Sequence, residues 1–228
     1  LHGGAYVSGT PEGYLGLSAS LARAASAMLV SVDYRLAPES RFPCAVDDAV
    51  AVYRSLLAEF RPTSIAVAGD SAGGGLTAAF LLAVRAAGLE QPACALLLSP
   101  WADLSCTSAS MTERAQRDPL LSQAGLANSA AAYLGEQSPS HPLASPVHGE
   151  YEGIAPLSIH VGSEEILHDD AMLLAERVRA TGGRAEVKVW PGMIHDWSLF
   201  WFAGLEEAAA LIQDAGHVIA QAYGPISR

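Results

Sequence analysis

Five short apolar runs punctuate the chain, and the hydrophobic positions between them recur at helical spacing. MLVSVDYRL (28–36), SIAVAGD (64–70), CALLLSP (94–100), LSIHVG (157–162) and AEVKVWPG (185–192) have the length and residue types of strands. AVDDAVAVYRSLLAEF (45–60), AGGGLTAAFLLAVRAAG (72–88) and DDAMLLAERVRATGG (169–183) read as helices, and a last helix is expected at about 205–222. Strand and helix alternating in this way predict an α/β sandwich: a mostly parallel sheet flanked by crossover helices. Between Asp103 and Pro156 the rhythm breaks. That stretch is rich in Ser, Ala, Pro and Gly, with one helix expected near SQAGLANSAAAYL and no strand. A long insertion after a strand end is expected to act as a cap or lid over a pocket, here about residues 104–156.

The 228 residues suit one domain, 1–228, and a half-hydrophobic composition makes it globular. A net charge of −11 argues against nucleic acid or an anionic membrane surface as partner. Cys44, Cys94 and Cys106 cannot all pair and match no zinc spacing, so no metal is expected and a reducing, cytoplasmic compartment is the default. No apolar run is long enough for a membrane span, and no signal peptide is visible.

The sharpest chemical signal is AVAGDSAGGGL (66–76). Ser71 stands in Gly-x-Ser-x-Gly between an expected strand and an expected helix, the context of a nucleophile elbow, where small residues two places either side let the backbone turn tightly. A phosphate-binding loop would need Lys where Leu76 stands, and the spacing of a dinucleotide fingerprint is absent. A serine hydroxyl needs a base, and the base needs an orienting acid. In this architecture acid and base follow the serine in that order, each after a later strand. WPGMIHDWSLF supplies His195 beyond the last strand, and HVGSEEILHDDA supplies Glu164, Glu165, Asp169 and Asp170 beyond the one before. The other six histidines, His2, His141, His148, His160, His168 and His217, lack that position and order.

The chain opens on LHGGAYVSG. Backbone N–H groups of Gly3 and Gly4, with that of Ala72 after the nucleophile, can face the oxyanion formed when serine attacks a carbonyl; a side chain on either glycine would block the approach. His2 is expected to pin this loop by hydrogen bonds.

Taken together, HGGA, DYRLAPE, GDSAGG, GSEEIL and GMIHDW resemble the hormone-sensitive-lipase family of α/β-hydrolase esterases, over the whole chain. The resemblance implies the α/β-hydrolase fold and a carboxylesterase acting on short-chain carboxylic esters, without cofactor. It implies Ser71 as nucleophile, His195 as base and Gly3, Gly4 and Ala72 as oxyanion hole. For the acid, laying EILHD on the family's Asp-Pro-Leu-x-Asp puts Glu165 at the catalytic position, with Glu164 the alternative. Ala5 stands where a third glycine is common, and Asp33, Arg35 and Glu39 of DYRLAPE are expected to hold a strand exit. Tyr6, Trp101, Leu104, Trp197 and Phe200 flank the catalytic loops and are expected to line the substrate pocket. An amidase or deacetylase would share this machinery, and a small-molecule receptor on the same fold is the non-catalytic alternative. The resemblance also implies a homodimer through AEVKVW. Family members carry the first strands and part of the cap before the His-Gly-Gly turn, so a truncated sequence, or an exposed sheet edge, is expected here.

Overall fold

The computed structural model describes residues 1–223. Its sheet has four parallel strands in the order of the sequence: β1 (Ala66–Asp70), β2 (Cys94–Leu98), β3 (Leu157–Gly162) and β4 (Ala185–Trp190). β2 is buried on both faces, which is why CALLL shows no polar alternation. Ala95 and Leu97 point into one core layer, Leu96 and Leu98 into the other. Each such leucine contributes about 1.5–3 kcal/mol by leaving water.

On the first face lie α2 (Cys44–Leu56), α3 (Ala72–Ala86) and α6 (His168–Ala180), which bury Tyr53, Leu81 and Leu174 against Leu97 and Ile159. On the other face, α1 (Leu15–Ala24) and α7 (Glu206–Ala222) bury Leu17, Leu21, Leu211 and Ala215 against Leu96 and Leu98. Helix α1 has no counterpart among the expected elements. Its ten residues, LGLSASLARA, carry too few large apolar positions to stand out from a loop by periodicity.

The expected strand at 28–36 does not form. The segment is extended but bonds into no ladder, and Met28, Leu29 and Val30 are exposed. It runs beside the opening residues: the Tyr34 hydroxyl donates to His2 O (2.6 Å) and Ala37 N to Tyr6 O (2.9 Å). A β-branched run becomes a strand only where another strand satisfies its backbone, and here Leu1 alone reaches the free edge of β1, through Ala68 O and Asp70 N. Arg35 departs from expectation too. Its guanidinium grips Asp48 of α2 (2.7–3.0 Å), holding that carboxyl below its usual range.

The insertion carries α4 (Ser110–Glu113) and α5 (Gln123–Leu134). Ser122 caps α5 by accepting from Gly125 N, and Leu126, Ala130 and Tyr133 bury its inner face. Three carboxylates anchor the insertion to the turn after β3. Asp170 Oδ2 accepts from Ala102 N and Asp103 N (3.0 and 2.9 Å), Asp169 from Ser110 N (2.9 Å), and Asp118 from Ile166 N (3.1 Å). This clamp ties the insertion to the segment that holds Glu165.

Candidate active site

Four functional side chains leave the sheet at the carboxyl ends of its four strands, the edge where open α/β sheets place their chemistry. Ser71 follows β1, Ser99 follows β2, Glu165 follows β3 and His195 follows β4.

Ser71 is held at φ 54°, ψ −119°, a strained conformation for a residue with a side chain. Its N–H donates to Leu98 O (2.8 Å), and its carbonyl accepts from Gly74, Gly75 and Trp101 N (2.9–3.1 Å), so the turn is tied to the next strand and to its own helix. The flanking glycines are required by space: a Cβ on Gly69 would strike the Gly73 carbonyl, and one on Gly73 would strike the carbonyls of Leu1 and His2. Gly69→Ala is expected to cost at least about 1–3 kcal/mol, the usual range for overpacking, because the obstacle is backbone. Urea unfolding measures it; an unchanged midpoint would show that the turn tolerates the methyl group.

From Ser71 a continuous line of contacts runs into the protein. His195 Nε2 lies 3.0 Å from Ser71 Oγ, and Nδ1 lies 3.0 Å from Glu165 Oε2. Glu165 Oε1 accepts from Ser99 Oγ (2.7 Å) and from Gly162 N (2.5 Å). All three members are buried, with Ser71 6 %, His195 2 % and Glu165 0 % exposed. Burial pushes the Glu165 carboxyl above its usual range, while His195, Gly162 and Ser99 pull against that shift. For His195 burial disfavours the cation, but Asp196, Glu165 and Asp70 together outweigh it and raise the imidazole to about 10. Glu164 stands outside this line. It accepts from Ser163 Oγ (2.6 Å) and pairs with Arg117 (3.0 Å) at the surface.

The opening turn lies against the elbow. Gly3 approaches so closely that a Cβ there would sit 3.1 Å from Ser71 Cβ and 2.9 Å from Asp70 Oδ2, and Gly4 adopts φ +112°, open to glycine. Ala72 is the first residue of α3, where an N–H has no acceptor within the helix. His2 is buried, stacks on Tyr34 at 4.2 Å and contacts Gly3 O through Nδ1 (2.7 Å). Burial lowers its pKa, while the contact with Gly3 O pulls the other way.

Among the residues expected to line the pocket, four pack inside. Tyr6 stacks on Tyr133 at 4.0 Å, and Trp101, Leu104 and Trp197 are buried, each 3 % exposed or less. Phe200 is on the surface, at 37 % exposed, in the 3₁₀ turn Trp197–Ala203. Aromatic residues near strand ends brace the catalytic loops from behind as readily as they meet solvent, and sequence position does not separate the two.

Three residues beside the line escaped the sequence reading: Asp70, Asp196 and Ser99. The first two are the chain neighbours of Ser71 and His195, and an acidic residue next to each was the available signal. Ser99 carried none.

A parallel sheet that delivers a hydroxyl, an imidazole and a carboxylate from its strand ends into one line is the arrangement of a hydrolase. The family described as alpha/beta hydrolase fold matches residues 1–199, and the chain belongs to it, on the hormone-sensitive-lipase branch. An acetyl-hydrolase of Streptomyces hygroscopicus is 46% identical over 225 residues, 98% of this chain and 75% of that protein. An esterase of Acinetobacter venetianus is 33% identical, over 94% of this chain and 72% of its own length. A solved esterase from the bacterial hormone-sensitive lipase family superposes with a TM-score of 0.96 at 42% identity, covering 98% of this chain and 75% of that one. EstE5, soaked by p-nitrophenyl butyrate, superposes with a TM-score of 0.95 at 41% identity, covering 99% and 76%. Among the described residues no helix is long and apolar enough to cross a membrane.

Proposed function

We propose that this protein hydrolyses short-chain carboxylic esters through a serine-bound acyl intermediate. The observation that carries the reading is the unbroken contact line from Ser71 Oγ through His195 to Glu165, with 3.0 Å at each junction. In the first half-reaction Oγ bonds to the ester carbon while its proton passes to Nε2. The carbonyl oxygen becomes an oxyanion facing the N–H groups of Gly3, Gly4 and Ala72, each contributing roughly 3 kcal/mol of transition-state stabilisation. The C–O bond to the alcohol then breaks, and the proton on Nε2 leaves with that alcohol. Water attacks the acyl group in the second half, with His195 again the base and Ser71 the leaving group. In this reading Tyr6, Trp101, Leu104, Trp197 and Phe200, which flank the catalytic loops in sequence, line the acyl and alcohol sites.

The Acinetobacter venetianus relative is named an esterase and EstE5 was soaked with a butyrate ester, which supports ester over amide; the name acetyl-hydrolase states only the acyl group. Hydrolysis of p-nitrophenyl butyrate is therefore expected to exceed that of the matching anilide by at least roughly 10²-fold in kcat/KM. A faster anilide would favour the amidase reading, and binding of either without turnover would favour a receptor. We also propose a homodimer through the edge of β4, to be tested by sedimentation.

A further inference from the structure

A second carboxylate stands against the atom of His195 that exchanges the proton. Asp196 Oδ1 lies 3.1 Å from Nε2, the same nitrogen that faces Ser71 Oγ at 3.0 Å. Asp196 is held there by a backbone at φ 52°, ψ 29°, the left-handed region that a residue with a side chain enters at a cost. The oxygen is buried and accepts no well-aligned hydrogen bond among the described residues, so its contact with the ring is electrostatic. Behind it lies Asp70, itself 3 % exposed, whose two carboxyl oxygens accept no well-aligned hydrogen bond among the described residues.

We propose that Asp196 is a positioning residue for the charged state of His195: its carboxylate, locked by the left-handed turn 3.1 Å from Nε2, steadies the imidazolium that forms as Ser71 attacks. The inference rests on the function proposed above. The groups facing His195 are Glu165 from the turn after β3, Asp70 and Ser71 from the end of β1, and Asp196 beside it. Asp70 in turn neighbours Tyr14 and the Leu1 amino group. Burial, then Asp196, raises Asp70 well above the ordinary carboxyl range.

The sign of the effect follows. Only the neutral ring accepts the Ser71 proton, so activity rises with pH as His195 deprotonates, and a carboxylate at Nε2 moves that rise to higher pH. Asp196→Asn and Asp196→Gly are the test variants. Glycine relieves the left-handed strain, so a merely structural residue would yield a protein with a higher Tm and an unchanged pH profile. Instead, both variants are expected to move the acid limb of kcat/KM down by about one pH unit or more, the shift a single close charge produces. Glu164→Gln, which removes a charge at the surface, is expected to leave the limb in place. Titration of the His195 ring by NMR, assigned with His195→Ala, should fall by the same amount and needs no turnover. An acid limb and a ring titration unchanged in both Asp196 variants, or an equal shift in Glu164→Gln, would overturn the proposal. If the wild type hydrolyses no ester, the functional reading fails, and the ring titration still decides this one.

Discussion

Ser71→Ala is expected to lower kcat/KM for p-nitrophenyl butyrate by roughly 10⁵- to 10⁶-fold, the scale of losing the nucleophile from a triad that acts as a unit. The neutral hydroxyl attacks only because Nε2 lies 3.0 Å away to take its proton, and no other hydroxyl, thiol or amine in the described chain contacts that nitrogen. The loss should be almost entirely chemical. Alanine keeps the backbone bonds from Ser71 N to Leu98 O and from Trp101 N to Ser71 O, which secure the elbow, and it removes only one hydroxyl that meets His195. Stability should therefore change by less than about 1 kcal/mol, near the net worth of one hydrogen bond. A residual rate from the oxyanion hole and from substrate positioning is expected to remain above the rate in water. A variant that keeps more than a few per cent of the activity would remove Ser71 from the mechanism, whatever its melting temperature.

The second large effect separates two adjacent glutamates. Glu165→Gln is expected to reduce kcat by about 10³- to 10⁴-fold, whereas Glu164→Gln should stay within roughly threefold of wild type. Ser99 Oγ and Gly162 N both donate to Oε1 of Glu165, so the glutamine carbonyl oxygen must take that place. Its NH₂ group then occupies the position of Oε2 and donates to Nδ1 of His195. The ring is forced to carry its proton on Nε2, and in that tautomer it cannot accept the proton of Ser71. The backbone is untouched, and removing a buried charge offsets part of any lost interaction, so the variant should still fold. Glu164 serves an ion pair with Arg117 at the surface, a class of contact worth at most about 1 kcal/mol. Parallel steady-state kinetics and urea melts on both variants give the comparison, and equal losses in the two would dissociate Glu165 from the line.

Much of this site was legible before any coordinates. The elbow around Ser71 is a local pattern: Gly69 is demanded by the carbonyl of Gly73 four residues on, and such a local demand leaves a mark in sequence, while Gly73 answers to the distant carbonyls of Leu1 and His2. His195 was marked by chain order alone, because successive strand ends of a parallel sheet meet at one edge. For the acid, the family pattern pointed to Glu165 and left Glu164 as the alternative. Glu164 and Glu165 differ by one residue in a turn, and the direction of that turn sends one carboxylate to Arg117 and the other to His195.

What the sequence by itself determined is therefore the order of the four strands and of the helices packed on them from β1 onward (the short α4 excepted), the turn that presents Ser71, and which loops carry its partners. Only the tertiary structure decided which glutamate faces inward, that Tyr6, Trp101, Leu104 and Trp197 are buried, and that Asp196 is turned onto Nε2. It decided too that 28–36 stays out of the sheet, although its composition is that of a strand. The reason is the same in each case: spacing and side-chain volume act between near neighbours and are written along the chain, while burial, ladder pairing and the facing of charges depend on a partner that folding must bring from far away.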